Sequence, residues 1–121
     1  KSHQIMAGTD IFLMPSRYEP CGLTQLYSLR YGTLPVASQV GGLLDTVIGY
    51  PAEGCTGFTF SPITSRALLQ AIGQAVAVWS DTDQWQDMQY RAMGQDFSWQ
   101  RSAEEYMGVY RAMSRTRLAA V

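Results

Sequence analysis

Three short apolar runs in the first half of the chain constrain the fold more than any other feature. They are DIFLMPS at residues 10–16, LPVASQV at residues 34–40 and GFTF at residues 57–60. Apolar runs without polar alternation are typical of strands that are buried on both faces. Residues 22–31 between the first two runs are typical of a helix, so the order is strand, helix, strand. The sequence therefore predicts parallel strands of an α/β fold.

Three amphipathic helical patterns follow the pair Ser61 and Pro62. Their apolar positions recur mostly at spacings of three and four: Leu68, Ile72, Val76 and Trp79; Trp85, Met88 and Ala92; Trp99, Ala103, Tyr106, Tyr110 and Met113. Thr64 and Ser98 stand where N-caps of the first and third helices are expected. We expect each apolar stripe to pack against the rest of the fold.

Three parallel strands make a small sheet, because a typical sheet has about five or six strands and a parallel one needs cover on both faces. The opening HQIMAGTD at residues 3–10 reads as the end of a helix that Gly8 closes, without the strand that would precede it. We therefore expect residues 1–121 to be part of one doubly wound α/β domain, with its later strands and C-terminal helices.

Composition excludes several classes of function. A formal charge of -1 gives no electrostatic case for nucleic acid or membrane binding, and no apolar run approaches the roughly 18 residues of a membrane span. Two cysteines, Cys21 and Cys55, are too few for a disulfide framework, and His3 cannot form a zinc site alone. The sequence predicts no metal site, no cofactor, and a reducing cytoplasm as the compartment.

The stretch SRYEPCGLTQLYSLRYG at residues 16–32 is the candidate site, because ligands of such sheets bind beyond the carboxyl ends of the strands. Amides near Gly22, Leu23 and Thr24 open the predicted helix, so they suit a phosphate, and Gly22 would let it approach closely. Glu19 would repel a phosphate but accepts hydrogen bonds from sugar hydroxyls, which together indicate a sugar nucleotide. On the residues alone, Glu19 could equally be a surface or capping carboxylate, and Cys21 a small buried apolar residue.

Two further short patterns have structural explanations. DTD at residues 81–83 copies a metal-binding D-x-D pattern, but it lies between two helical patterns and reads as a cap. Gly41 and Gly42 end the second strand, where either a tight turn or a close approach to a ligand would require glycine.

The stretch MPSRYEPCGLTQLYSLRYGTLPV at residues 14–36, followed by VGGLLDTV at residues 40–47, resembles the bacterial glycogen synthases and plant starch synthases. GFTF at residues 57–60 and DFSWQ at residues 96–100 extend the resemblance through most of the chain. It implies a retaining glucosyltransferase of the two-domain GT-B fold, which transfers glucose from a nucleotide sugar to an α-1,4-glucan. The chain would then be the later half of the C-terminal, donor-binding domain, and the glucan acceptor would bind through an N-terminal domain.

The resemblance also implies roles for individual residues. Glu19 would bind hydroxyls of the donor glucose as the catalytic carboxylate, Cys21 would lie close to that sugar, and Gly22, Leu23 and Thr24 would hold the distal phosphate. Many relatives carry a second glutamate eight positions after the first, where this chain has Tyr27, as is usual in the glycogen and starch synthase branch.

Several alternatives remain open at this point. ADP-glucose is the expected donor, and UDP-glucose is the alternative. The runner-up functions are another GT-B glycosyltransferase, such as a sucrose-type enzyme, and a non-catalytic module that binds a sugar nucleotide. The isolated chain is expected to have no transferase activity.

Overall fold

The computed structural model describes residues 1–118, which form a three-stranded parallel sheet and six helices. In chain order the elements are α1 (Ser2–Ala7), β1 (Ile11–Met14), α2 (Thr24–Tyr31), β2 (Leu34–Ser38), α3 (Gly42–Thr46), β3 (Phe58–Phe60), α4 (Ser65–Trp79), α5 (Thr82–Met93) and α6 (Trp99–Leu118). The predicted strands are all present, although each is shorter than its apolar run. The short helix α3 was not predicted, because glycine at its first position is a poor helix former.

The strands pair in the order β1, β2, β3, so β2 is the central strand. All five residues of β2 are buried, as the apolar run predicts. In β1 the prediction of burial on both faces is wrong for Leu13, which is 48% exposed. The reason is that β1 has a strand neighbour on one side only within the described residues, so cover on that edge is incomplete.

Alternate residues of β2 point into two separate apolar clusters, as the two-residue period of a strand requires. Leu34 and Val36 join the larger cluster with Phe58 of β3 and with residues of α2, α4 and α5. Ala37 joins the smaller cluster, in which Leu43 of α3 takes part. Helices thus cover both faces of the sheet, which is the arrangement expected of a doubly wound domain.

Helix α4 begins at the predicted cap, where Thr64 Oγ1 accepts a hydrogen bond from the Ala67 amide at 3.2 Å. The predicted buried face of Leu68, Ile72, Val76 and Trp79 is wrong in its second half, since Val76 and Trp79 are 50% and 51% exposed. The buried positions of this helix are Ala67, Ala71, Ala75 and Val78. These small side chains let the helix backbone lie close to the sheet, and the larger residues then fall at the margin.

Helix α5 agrees with its predicted pattern, since Trp85, Met88 and Ala92 are its buried residues. The Trp85 ring stacks on Phe58 of β3 with a centroid separation of 6.2 Å. Asp81 Oδ1 accepts a hydrogen bond from the Gln84 amide at 3.2 Å, so DTD acts as a helix cap, as predicted.

Helix α6 begins after Ser98, whose Oγ accepts from the Arg101 amide at 3.4 Å. Its apolar stripe does not enter the core: Trp99 is 89% exposed, and Tyr106, Tyr110 and Met113 are exposed as well. The expectation of a buried stripe is therefore wrong, because α6 makes few contacts with the sheet and with the other helices. No helix within residues 1–118 combines the length and apolar character that crossing a membrane requires.

Candidate functional site

The candidate site lies at the carboxyl end of β1, where the chain turns into α2. The turn packs against the corresponding turn from β2 into α3. Ser38 Oγ donates to the Ser16 carbonyl at 2.5 Å, and the Gly42 amide donates to the Glu19 carbonyl at 3.0 Å. The two turns therefore form one unit at the carboxyl edge of the sheet, where ligands of such folds bind.

Gly41 and Gly42 permit this contact because no side chain would fit between the turns. A Cβ atom on Gly42 would lie 2.5 Å from the Cys21 carbonyl oxygen, and one on Gly41 would lie 2.0 Å from the Glu19 carbonyl oxygen. Gly41 also has a φ of +45°, a conformation that glycine adopts most readily. The glycine pair is thus explained by close packing against the backbone of residues 19–21.

We expect Gly42→Ala to lower the free energy of unfolding by about 1–3 kcal/mol, because the added methyl group must displace backbone atoms of Cys21. The matched control is Gly73→Ala in α4, where a Cβ would meet nothing within 4 Å. That change should raise stability by up to about 1 kcal/mol, since alanine is the better helix former. Urea denaturation of both variants checks this, and equal stability of Gly42→Ala and wild type would contradict the packing argument.

Glu19 is half-buried, and its carboxylate has no hydrogen-bond or ion-pair partner among residues 1–118. It does not cap α2, whose N-cap position is Leu23 with no side-chain cap bond. The capping interpretation of Glu19 is therefore wrong, and its acceptor oxygens are available to a ligand. Cys21 is an exposed free thiol, so the alternative of a small buried apolar residue is also wrong.

Helix α2 begins at Thr24, two residues later than predicted. Gly22 therefore lies in the turn that precedes the helix, with a φ of +74°. The first hydrogen bond of the helix is from the Tyr27 amide to the Leu23 carbonyl, at 3.0 Å. The preceding amides of the first turn have no carbonyl partner within the helix, and they carry the positive end of its dipole. Gly22, Leu23 and Thr24 thus lie where an anion would meet these amides.

Sequence reasoning missed Gln25, a polar residue in the first turn of α2 that is fully buried. Its side-chain amide turns back onto the residues before the helix and donates to the Cys21 carbonyl at 2.8 Å. In the sequence, Gln25 is one polar residue of a predicted helix, four positions after Cys21. Nothing local distinguishes it from a glutamine on an exposed helix face.

The other residues named from the sequence lie away from this turn. His3 is part of α1, and its ring lies 5.3 Å from that of Tyr27 and 5.9 Å from that of Tyr31. Cys55 is buried, and its carbonyl accepts from Arg91 Nε at 3.1 Å. The Tyr27 ring therefore packs against α1, through the ring of His3.

Neither a cluster of possible metal ligands nor the lowered pKa of Asp96 contributes to the candidate site within the described residues. Among residues 1–118, no three acidic, histidine or cysteine side chains converge on a possible metal position. The pKa of Asp96 is lowered by hydrogen bonds from the Ser98 backbone and side chain, with a smaller contribution from Arg101. Asp96 lies in the turn before α6, so this shift belongs to that turn and not to the candidate site.

A parallel sheet with helices on both faces defines an α/β domain of the doubly wound class. The carboxyl edge of this sheet, where ligands of such folds bind, carries Glu19 and the first turn of α2. The chain belongs to the family of glycosyl transferases group 1, whose pattern it matches over residues 1–92.

Curated relatives are similar over nearly the whole chain. The chain is 52% identical to the glycogen synthase of Anaeromyxobacter dehalogenans, covering 96% of this chain and 24% of that protein. It is 49% identical to glycogen synthase 2 of Nitrosococcus oceani, covering 93% and 24%. The chain thus spans about a quarter of the length of these relatives.

Two solved structures are similar in fold. The catalytic domain of starch synthase IV from Arabidopsis thaliana, bound to ADP and acarbose, matches with a TM-score of 0.81 and 36% identity, over 92% of this chain and 24% of that one. Sucrose-phosphate synthase from Thermosynechococcus elongatus matches with a TM-score of 0.62 and 32% identity, over 93% and 27%. The predicted family and the predicted fold class, the later half of a GT-B C-terminal domain, are confirmed.

Proposed function

We propose that the protein carrying this chain is a glycogen (starch) synthase. It transfers glucose from ADP-glucose to the non-reducing end of an α-1,4-glucan, with retention of configuration. The observation that carries the proposal is Glu19, whose carboxylate has no partner within the described residues, in the turn that leads into α2 of a chain about half identical to glycogen synthases. The starch synthase of similar fold, solved with ADP and acarbose, supports both the nucleotide and the glucan.

Within this proposal, residues 1–121 are part of the C-terminal domain that binds the nucleotide sugar. The acceptor glucan binds through an N-terminal domain. Both Cys21 and Cys55 are free thiols, which is consistent with a reducing cytoplasm as the site of action.

Residues 19–21 and residues 22–24 have different roles in the proposed chemistry, the first at the sugar and the second at the phosphate. The Glu19 carboxylate accepts hydrogen bonds from hydroxyls of the donor glucose and fixes the sugar relative to the acceptor. The amides near Gly22, Leu23 and Thr24 hold the distal phosphate and stabilise the charge that develops on the leaving diphosphate. Cys21, which is exposed on the same turn, lines the sugar-binding side.

We expect the full-length protein to incorporate labelled glucose from ADP-glucose into glycogen, and to do so equally well in EDTA. The D-x-D residues Asp81 and Asp83 lie at the start of α5, where Asp81 caps the helix, which explains the pattern without a metal. Helix amides and cationic side chains are then left to neutralise the diphosphate.

The assay compares ADP-glucose with UDP-glucose as donor, each with and without the chelator. Loss of all incorporation in EDTA, restored by magnesium or manganese, would contradict the metal-independent reaction. Asp81 and Asp83 would then be candidate metal ligands.

A second candidate is a sucrose-type GT-B enzyme, favoured by the similarity to sucrose-phosphate synthase. The lower TM-score of that match, and Tyr27 in the place of a second glutamate, favour the glucan synthase. Formation of sucrose phosphate instead of labelled glycogen, when fructose 6-phosphate is offered as a second acceptor in the same assay, would reverse this choice.

A further inference from the structure

Gln25 makes an unusual set of contacts for a residue in the first turn of a helix. It is 0% exposed, and its side-chain nitrogen Nε2 donates to the carbonyl oxygens of Cys21 at 2.8 Å and Gly22 at 2.9 Å. The hydroxyl oxygen of Thr46 in α3 lies 3.3 Å from the same nitrogen. One buried amide group therefore faces three oxygen acceptors.

The other end of the Gln25 side chain is unsatisfied. Its carbonyl oxygen Oε1 is buried and has no hydrogen-bond partner within the part of the chain that the structure describes. Burying an unpaired polar atom is unfavourable, so the hydrogen bonds that Nε2 donates must hold the side chain in place. An apolar residue would fill this space without burying an unpaired oxygen. The contribution specific to glutamine is therefore the pair of hydrogen bonds that its nitrogen donates.

Thr46 connects Gln25 to the second turn. Its hydroxyl donates to the Gly42 carbonyl at 2.8 Å, so towards Gln25 it can act only as an acceptor. The Gly42 amide in turn donates to the Glu19 carbonyl at 3.0 Å. The carbonyls of Glu19, Cys21 and Gly22 are thus all held by groups of α2 and α3.

We propose that Gln25, supported by Thr46, is a positioning residue that fixes the backbone of residues 19–22. It thereby aims the Glu19 carboxylate and the amides near Gly22 at the donor. This role rests on the proposed function, in which those groups bind the sugar and the distal phosphate. A loop that is free to shift by about 1 Å loses a large part of its catalytic effect, so the hydrogen bonds affect rate through geometry.

The first test compares variants of Gln25 in the full-length protein. Gln25→Glu keeps the shape but places a carboxylate against three acceptor oxygens, and Gln25→Met removes the donor without adding charge. We expect both to lower kcat/KM for ADP-glucose by about tenfold to a hundredfold while KM for glycogen stays unchanged. Gln86→Glu, on an exposed position of α5, is the control for the added charge and should match wild type.

Thr46 supplies a matched pair of variants. Thr46→Val removes the hydroxyl with little change of shape and should lower kcat/KM for the donor severalfold, whereas Thr46→Ser keeps the hydroxyl and should recover most of it. Wild-type kinetics in Gln25→Glu, Gln25→Met and Thr46→Val would overturn the proposal.

A double-mutant cycle separates positioning from general stability. If Gln25 acts through Glu19, Gln25→Met should cost less in a Glu19→Ala background than in wild type, because one of the two groups to be positioned is already absent. Equal losses in the two backgrounds would show that Gln25 does not act through Glu19, and would overturn the proposal.

Hydrogen exchange gives a readout that does not need activity. In Gln25→Met, the hydrogen-bonded amides of Tyr27 and of residues 40 and 42–44 should exchange several times faster, while those of α4 exchange as in wild type. Unchanged exchange in the turns, or equal acceleration in α4, would contradict the proposal even for an inactive protein. Absence of glucose transfer by wild type would instead contradict only the proposed function.

Discussion

Glu19→Ala is expected to lower the turnover of the full-length enzyme by about a hundredfold or more, a loss of at least about 2.7 kcal/mol of transition-state stabilisation. The carboxylate caps no helix and makes no ion pair within the described chain, so its removal costs the fold little. In the proposed site it positions the donor glucose. Initial rates with ADP-glucose and glycogen, together with thermal unfolding, measure the two effects separately.

Glu53→Ala is the matched control, because Glu53 is an exposed carboxylate in the loop between α3 and β3. It should leave both rate and melting temperature unchanged. Near-normal turnover of Glu19→Ala on glycogen would contradict the proposed role of Glu19. A large fall in melting temperature would show that the carboxylate is structural.

The second large effect concerns the 121-residue chain by itself, which we expect to have no transferase activity and only about millimolar affinity for ADP. The first 50 residues contain only three arginine or lysine residues, Lys1, Arg17 and Arg30. Arg30 lies in the last turn of α2, away from the open amides, and donates to the Met93 carbonyl at 3.1 Å. Few cations therefore remain to balance the diphosphate.

The helix amides cannot make up this deficit. A helix N-terminus carries about half a unit of positive charge, and an exposed one contributes about 1 kcal/mol or less to binding an anion. Water at an open site weakens each contact further. Calorimetric or NMR titration with ADP, and an assay with ADP-glucose and glycogen, test this. Micromolar binding or measurable glucan extension would show that the chain holds more of the site than we propose.

The strands and the helix caps were predictable because they depend on neighbours in sequence. Apolar runs of successive residues located β1, β2 and β3, and Thr64 and Asp81 cap the helices that follow them. The buried face of α4 was not predictable by the same means, since both its alanine and its larger apolar positions have helical spacing. Only the distance between helix and sheet decides which set faces inward.

The sequence by itself determined which residues lie at the candidate site, because Glu19, Cys21 and Gly22 belong to one continuous motif that follows a strand. The tertiary structure alone decided how that motif is held. The partners of its backbone are the Gly42 amide, from a turn some twenty residues away, and Gln25, whose side chain could equally have faced solvent. Thr46 contacts the Gln25 side chain and not the motif itself. Parallel pairing of β1 with β2 brings the two turns to the same edge, and no local pattern encodes that contact.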